Sequence, residues 1–267
     1  ALLHAAEVAD SARHSEMFGV KATLEGVDLP AVNTYRDGIV ASKHKGLQGL
    51  IKARGITTIE GTGKLISPTT IAVGEDTVVG KNVILATGSY PRSLPGLDIG
   101  GRIITSEQAL ALDWIPSKVI VLGGGVIGVE FASVWRSFGA EVTIVEGLPR
   151  LVPAEDESIS KQFERAYRKR GINFHTGVRF QSATQDDTSV TVTLEDGTTE
   201  TADLLLVAVG RGPKTDGMGF EEVGVTMDRG FVLTDERLRS NIPGVFAVGD
   251  IVPGIQLAHR GFQHGIF

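Results

Sequence analysis

Residues 119–128 read VIVLGGGVIG, and no other stretch limits the fold of this chain as tightly. Four apolar residues predict a buried strand, the glycines follow at once, and an apolar-patterned helix is predicted to run to about Phe138. In such a G-x-G-x-x-G each glycine has its own task. Gly123 permits the tight turn, Gly125 lets backbone approach a pyrophosphate, and Gly128 lets helix and strand pack closely. The intervening Gly124, Val126 and Ile127 bring backbone N–H groups to the helix start, where phosphate is favoured. The pattern alone is weak, but here a second strand, EVTIVE, ends at Glu146, roughly 20 residues on, where a carboxylate binds the ribose hydroxyls of an adenosine half. Glu146 also repels a 2′-phosphate, and the first arginine after it is Arg150, so NAD is expected over NADP.

The order strand, helix, strand, helix (the last from about Glu157 to Arg170) is that of a parallel sheet covered by helices. Alternation between Gly177 and Ala202 predicts a hairpin turning at Asp196 and Gly197, and LLLVAVG from Leu204 to Gly210 predicts a further buried strand. Earlier in the chain, ALLHAAEVADSA predicts a helix. A second helix is expected around Pro30 to Lys52, with Val32, Ile39, Val40, Leu47, Leu50 and Ile51 on its apolar face and Lys43, Lys45 and Lys52 in solvent. Between Ile56 and Leu85 the runs ITTIEG, GKLIS, TIAVG and NVILATG predict successive short strands. After the second unit, FVLT and VFAVGD and a helix from Gln256 belong to neither region by sequence order.

Three more strands end in glycine turns: VILATGS, LLLVAVGR and VFAVGD. Each places flexible backbone at the carboxyl edge of a sheet, where open α/β sheets bind ligands. Asp250 closes the last of them, a carboxylate suited equally to a ribityl hydroxyl or to capping the following turn. Among 267 residues there are 34 glycines and no cysteine, so glycine is enriched at positions with a task, while disulfides, thiolate metal sites and a thiol nucleophile are excluded from this chain. The net charge of −6 and the lack of a basic run argue against nucleic acid as a partner. No apolar stretch suggests a membrane span, no metal site is expected, and a cytoplasmic location is the expectation. His259 and His264 lie five apart, off a common helical face, and are expected to be structural or superficial.

GTGKL, LATGSYPRSLPG, GGGVIGVEFASVWRSFGAEVTIVE, LVPAEDE, VAVGRGPKT and FAVGDIVPGIQLAH, in that order and over essentially the whole chain, resemble the pyridine nucleotide-disulfide oxidoreductases. The resemblance implies an α/β fold with two dinucleotide-binding domains, a split FAD domain (residues 1–112 and 213–267) around an inserted Rossmann-like NAD domain (113–212). By the same likeness Gly63 meets the adenine side of FAD, Thr87, Gly88 and Ser89 line the FAD domain, and Asp250 and Ala258 hold the ribityl chain and flavin. Gly123 to Gly128, Glu146, Phe180 and Gly210 surround NAD, and Glu130 has a supporting role, pairing in the family with a lysine that this chain lacks. The likeness is strongest to members that pass electrons from dihydrolipoyl groups, through a disulfide and FAD, to NAD. It implies lipoyl domains of 2-oxoacid dehydrogenase complexes as partners and a homodimer. Mercuric reductase, a soluble transhydrogenase and a non-catalytic dinucleotide-binding module are the alternatives. The uncapped first helix and the apolar last residues, Ile266 and Phe267, suggest the interior of a longer protein. The redox cysteines and the His–Glu base are then expected outside these residues, and no lipoamide-dependent activity is expected of this chain alone.

Overall fold

The computed structural model describes residues 1–267. The chain opens with α1 (Leu2–Arg13) and α2 (Leu29–Ala53), then runs through β1 (Gly63–Ser67), β2 (Thr70–Val73), β3 (Asp76–Val79), β4 (Val83–Leu85) and β5 (Ser89–Pro91). Next come β6 (Ile103–Thr105), α3 (Ser106–Ala111), β7 (Lys118–Leu122), α4 (Val126–Phe138), β8 (Glu141–Glu146), α5 (Glu157–Lys169) and β9 (Ile172–Thr176). The rest is β10 (Phe180–Gln185), β11 (Val190–Leu194), β12 (Thr199–Ala202), β13 (Leu204–Val207), β14 (Arg211–Pro213), β15 (Met227–Asp228), β16 (Phe231–Val232), β17 (Val245–Ala247) and α6 (Ala258–Ile266). Two compact units result, residues 1–50 with 91–210, and residues 51–90 with 211–267. The first 50 residues thus pack with the parallel sheet, so compactness follows other lines than the 112/113 and 212/213 boundaries expected from sequence.

The larger unit is built on a five-stranded sheet in the order β6-β13-β7-β8-β9, with every pair parallel. Strand side chains alternate between faces, and both faces are covered. Val119, Val121, Val142, Ile144, Leu204 and Leu206 enter one core with Trp135 of α4 and Tyr167 of α5. Ile120, Leu122, Val145, Leu205 and Val207 enter another with Val190, Val192 and Leu194 of β11. This explains the unbroken apolar runs of β7 and β13, as expected for strands buried on both sides. The expected hairpin between Gly177 and Ala202 is a three-stranded meander, β10-β11-β12, whose inward side chains form that second cover. Helix α1 packs on α4 through Ala6, beside Val134 and Phe138.

Tyr167 links α5 to α4: its hydroxyl donates to the Val129 carbonyl at 2.7 Å, and burial pushes its pKa up to about 12. Tyr167→Phe keeps the ring and removes that bond, so urea denaturation should show a loss of about 1 kcal/mol. A wild-type midpoint in the variant would contradict this.

The smaller unit contains the antiparallel sheet β1-β2-β3 and the parallel pair β4-β17, around a core of Leu65, Val83, Leu85, Phe220, Val232, Val245 and Ala247. Two sequence expectations fail here and in α2. ITTIEG is not a strand: no ladder forms over it, and Ile56 and Ile59 are exposed. DTVV, unremarked in the sequence, is β3, paired along its whole length with β2. The apolar stripe of α2 is also largely uncovered, for Val40, Leu47 and Leu50 are each more than half exposed, while only its start is packed, with Leu29 buried and Val32 half-buried beside it.

Candidate functional site

In the larger unit the chain leaves β7 for β8 and β9 on one side and returns to place β13 on the other. The carboxyl ends of β7 and β13 therefore flank a topological switch point, the place where open α/β sheets bind ligands. The glycine turn lies there. Gly123, at φ +112°, is so close to the end of β13 that an added Cβ would sit 2.3 Å from the Ala208 carbonyl oxygen. A Cβ on Gly128 would sit 1.9 Å from the Gly123 oxygen. Around Gly125, in contrast, an added Cβ meets nothing within 4 Å. Gly125 is the N-cap of α4 with no side chain capping it, so the first N–H groups of the helix, on Val126, Ile127 and Gly128, face outward without intrahelical partners. Such a helix start suits an anion.

Glu146 ends β8 beside this turn and grips it. Its Oε2 accepts the Gly124 N–H at 2.6 Å and its Oε1 accepts the Leu148 N–H at 2.8 Å. An ionised carboxylate has about four acceptor positions, so two remain for hydroxyl donors. Of the other residues expected near NAD, Gly210 lies beyond β13 at φ +111°, while Phe180 begins β10 half-buried against the meander core. Glu130 is exposed on α4, one turn on from Val126.

The smaller unit has its own glycine-lined edge, at the carboxyl ends of the parallel strands β4 and β17. Gly88 (φ +76°) and Gly249 (φ +72°) give each loop a left-handed turn, and neither faces any atom where a Cβ would lie. Asp250 sits in the single helical turn Gly249–Ile251. It is tied across to Ser89, whose hydroxyl donates to Asp250 Oδ2 at 2.6 Å. Arg211 Nε in turn donates to Ser89 Oγ at 2.7 Å, and its Nη2 to the Ser89 carbonyl at 2.8 Å. The carboxylate is thereby oriented with Oδ1 free of protein donors. Gly63 and Thr87 meet on one cleft of about 290 Å³, also lined by Leu65, Ile71 and Phe220. Ala258 starts α6, which has no side-chain cap. Arg211 was not singled out in the sequence; its only signal was its place after a glycine-ended strand.

His264 proves structural. Its Nδ1 accepts the Gly249 N–H at 3.1 Å, and burial, then the nearby Arg260, hold its pKa below the ordinary histidine range. A folded-state pKa below the unfolded value means that the unfolded chain binds more protons in that window. The contribution is therefore complete above the unfolded pKa and is lost as pH falls through the lower folded one. Urea titrations at about pH 7.5 and about pH 5.5, on either side of the ordinary value, should show an acid-side loss that disappears in His264→Gln. An equal loss in the variant would remove His264 as its source. His259, also on α6, is exposed.

A central parallel sheet with a glycine turn at its switch point, and a second unit with its own glycine-lined strand edge, are the marks of a dinucleotide-binding α/β protein. The solved structure of LpdA from Mycobacterium tuberculosis matches 99% of the chain with a TM-score of 0.89 at 27% identity, while the chain covers 60% of it, which shows the fold with two dinucleotide-binding domains. The chain belongs to the pyridine nucleotide-disulphide oxidoreductase family, whose profile matches residues 1–265. Mitochondrial dihydrolipoyl dehydrogenase of Pisum sativum is 40% identical over the whole chain, and dihydrolipoyl dehydrogenase of Bacillus subtilis is 35% identical. The chain spans 56% and 60% of those two relatives. No helix is long and apolar enough to cross a membrane.

Proposed function

We propose that this chain is the nucleotide-binding part of a dihydrolipoyl dehydrogenase, an oxidoreductase that passes electrons from dihydrolipoyl groups, by way of a disulfide and FAD, to NAD. Lipoyl domains of 2-oxoacid dehydrogenase complexes as partners, a homodimer and a cytoplasmic location belong to the same reading. So does the division into an NAD-binding stretch, 113–212, and an FAD-binding remainder, 1–112 with 213–267. The observation that carries it is the glycine turn at the switch point with Glu146 beside it, backed by the identity to dihydrolipoyl dehydrogenases.

When bound, the two cofactors supply the hydride chemistry; the residues of this chain hold and orient them. Gly125, Val126, Ile127 and Gly128 present backbone N–H groups to the NAD pyrophosphate, with Gly123 and Gly124 shaping the turn. Glu146 accepts the adenosine ribose hydroxyls, and Phe180 and Gly210 border the site. For FAD, Gly63 and Thr87 share a cleft, Gly88 and Gly249 leave room for close approach, and Ser89 sets the rotamer of Asp250 so that Oδ1 accepts a ribityl hydroxyl. Ala258 offers the uncapped start of α6 to the flavin. Glu130 is kept as a supporting residue. The fit of both groups is supported by the open space at Gly125 on the NAD side and at Gly88 and Gly249 on the FAD side, where an added Cβ would meet nothing within 4 Å.

Fluorescence titration with FAD and with NADH tests this reading. Asp250→Ala should weaken FAD at least tenfold, from the loss of a charged hydrogen bond of about 1.5–3 kcal/mol, and leave NADH unchanged. An FAD affinity insensitive to Asp250, or a shared loss of both ligands, would contradict it.

A further inference from the structure

Val152 holds a backbone conformation that its side chain resists. It stands at φ +43°, where a β-branched residue is a strained outlier, yet it is almost fully buried. Strain of this kind persists only where surrounding structure enforces it. Here α5 does so: Glu164 Oε1 accepts the Leu151 N–H at 3.1 Å, and the buried Ser160 hydroxyl donates to the Val152 carbonyl at 3.3 Å. What the conformation achieves is specific. The Val152 N–H donates to the Gly124 carbonyl at 2.8 Å, while the Leu151 side chain, itself fully buried, fills the space a Gly124 Cβ would need, at 2.6 Å.

Gly124 is therefore held at both of its polar groups, its N–H by Glu146 and its carbonyl by Val152. In a planar trans peptide the carbonyl of one residue and the N–H of the next point in opposite directions. Fixing the Gly124 carbonyl towards Val152 thus turns the Gly125 N–H away from the loop. We propose that Leu151 and Val152 are positioning residues, a brace by which α5 sets the orientation of the Gly124–Gly125 peptide and so aims the Gly125 N–H at the dinucleotide pyrophosphate. The inference rests on reading this turn as the NAD site. It adds a part of the chain that touches no ligand, and it gives the strained valine a task.

The test replaces the Val152 amide by an ester, with 2-hydroxyisovaleric acid at that position, which removes one donor and keeps the side chain. ADP-ribose and adenosine serve as probes by calorimetry, because only the first carries a pyrophosphate. The ester should weaken ADP-ribose about fivefold, the worth of one ordinary hydrogen bond, with adenosine affinity unchanged. An ester at Ala140, whose N–H donates to the Trp135 carbonyl at 2.9 Å at the far end of α4, is the structural control and should alter neither. Equal losses of both probes in the Val152 ester, or no loss of ADP-ribose, overturn the brace. If the unmodified chain fails to bind ADP-ribose at all, the NAD reading falls with it. Should the Val152 ester not fold, amide exchange in the unmodified chain decides. A protected Val152 N–H, together with a Gly125 amide resonance that ADP-ribose shifts, supports the brace, and a freely exchanging Val152 N–H overturns it.

Discussion

Gly128→Ala should cost the larger unit roughly 3 kcal/mol or more, at the upper end of overpacking penalties, whereas Gly125→Ala, three residues earlier, should cost under about 1 kcal/mol. The contrast follows from what each new methyl meets. At Gly128 it lies 1.9 Å from the Gly123 carbonyl oxygen and 3.1 Å from Val121 Cγ1, and the oxygen belongs to the turn itself, which cannot retreat without leaving β7. At Gly125 it enters open space, with φ −74° already suited to alanine. Binding should rank the two differently, since the Gly125 methyl stands where a pyrophosphate must approach. Gly125→Ala is expected to lose at least tenfold in NADH affinity while keeping its urea midpoint. Equal stability of the two variants would contradict the packing account, and full NADH affinity in Gly125→Ala would contradict the approach to that glycine.

Glu146→Arg should erase or invert a preference for NADH over NADPH of about tenfold or more, the value of a charged hydrogen bond together with relief of like-charge repulsion. The structure adds a stability cost that the sequence did not show. The same carboxylate accepts the Gly124 and Leu148 N–H groups, and an arginine can accept neither. A loss of about 1–3 kcal/mol is expected from the buried Gly124 N–H left without a partner, while the exposed Leu148 N–H passes to water. Glu146→Gln retains one oxygen acceptor and should lose part of the preference with less damage. An unaltered NADH preference in the arginine variant would remove Glu146 from the nucleotide site.

The central βαβ unit was legible because its pattern and its packing share one cause. VIVL and LLLV are apolar at every position since β7 and β13 are covered on both faces, and the five-residue step from Gly123 to Gly128 is set by a clash between atoms near in sequence. Elements whose partners lie far along the chain were harder to read. DTVV carries a charge and shows no apolar face, and it is a strand only because β2 supplies a ladder. ITTIEG has the composition of a strand and finds no ladder. The stripe on α2 has helical spacing, which places the residues on one face but cannot say whether anything covers them. At the site, the residue types were readable but the supports were not. Nothing in LVPAEDE marks Val152 as left-handed, and no spacing rule joins Ser89, Asp250 and Arg211, which are brought together by the β4–β17 and β5–β14 pairings.

Calorimetric titration of the 267-residue chain with NADH and, separately, NADPH addresses the proposed nucleotide site most directly. One site that binds NADH at least tenfold more tightly than NADPH is the result expected from a glycine turn at the switch point with Glu146 beside it. Equal affinities, or no heat with either nucleotide, would contradict it.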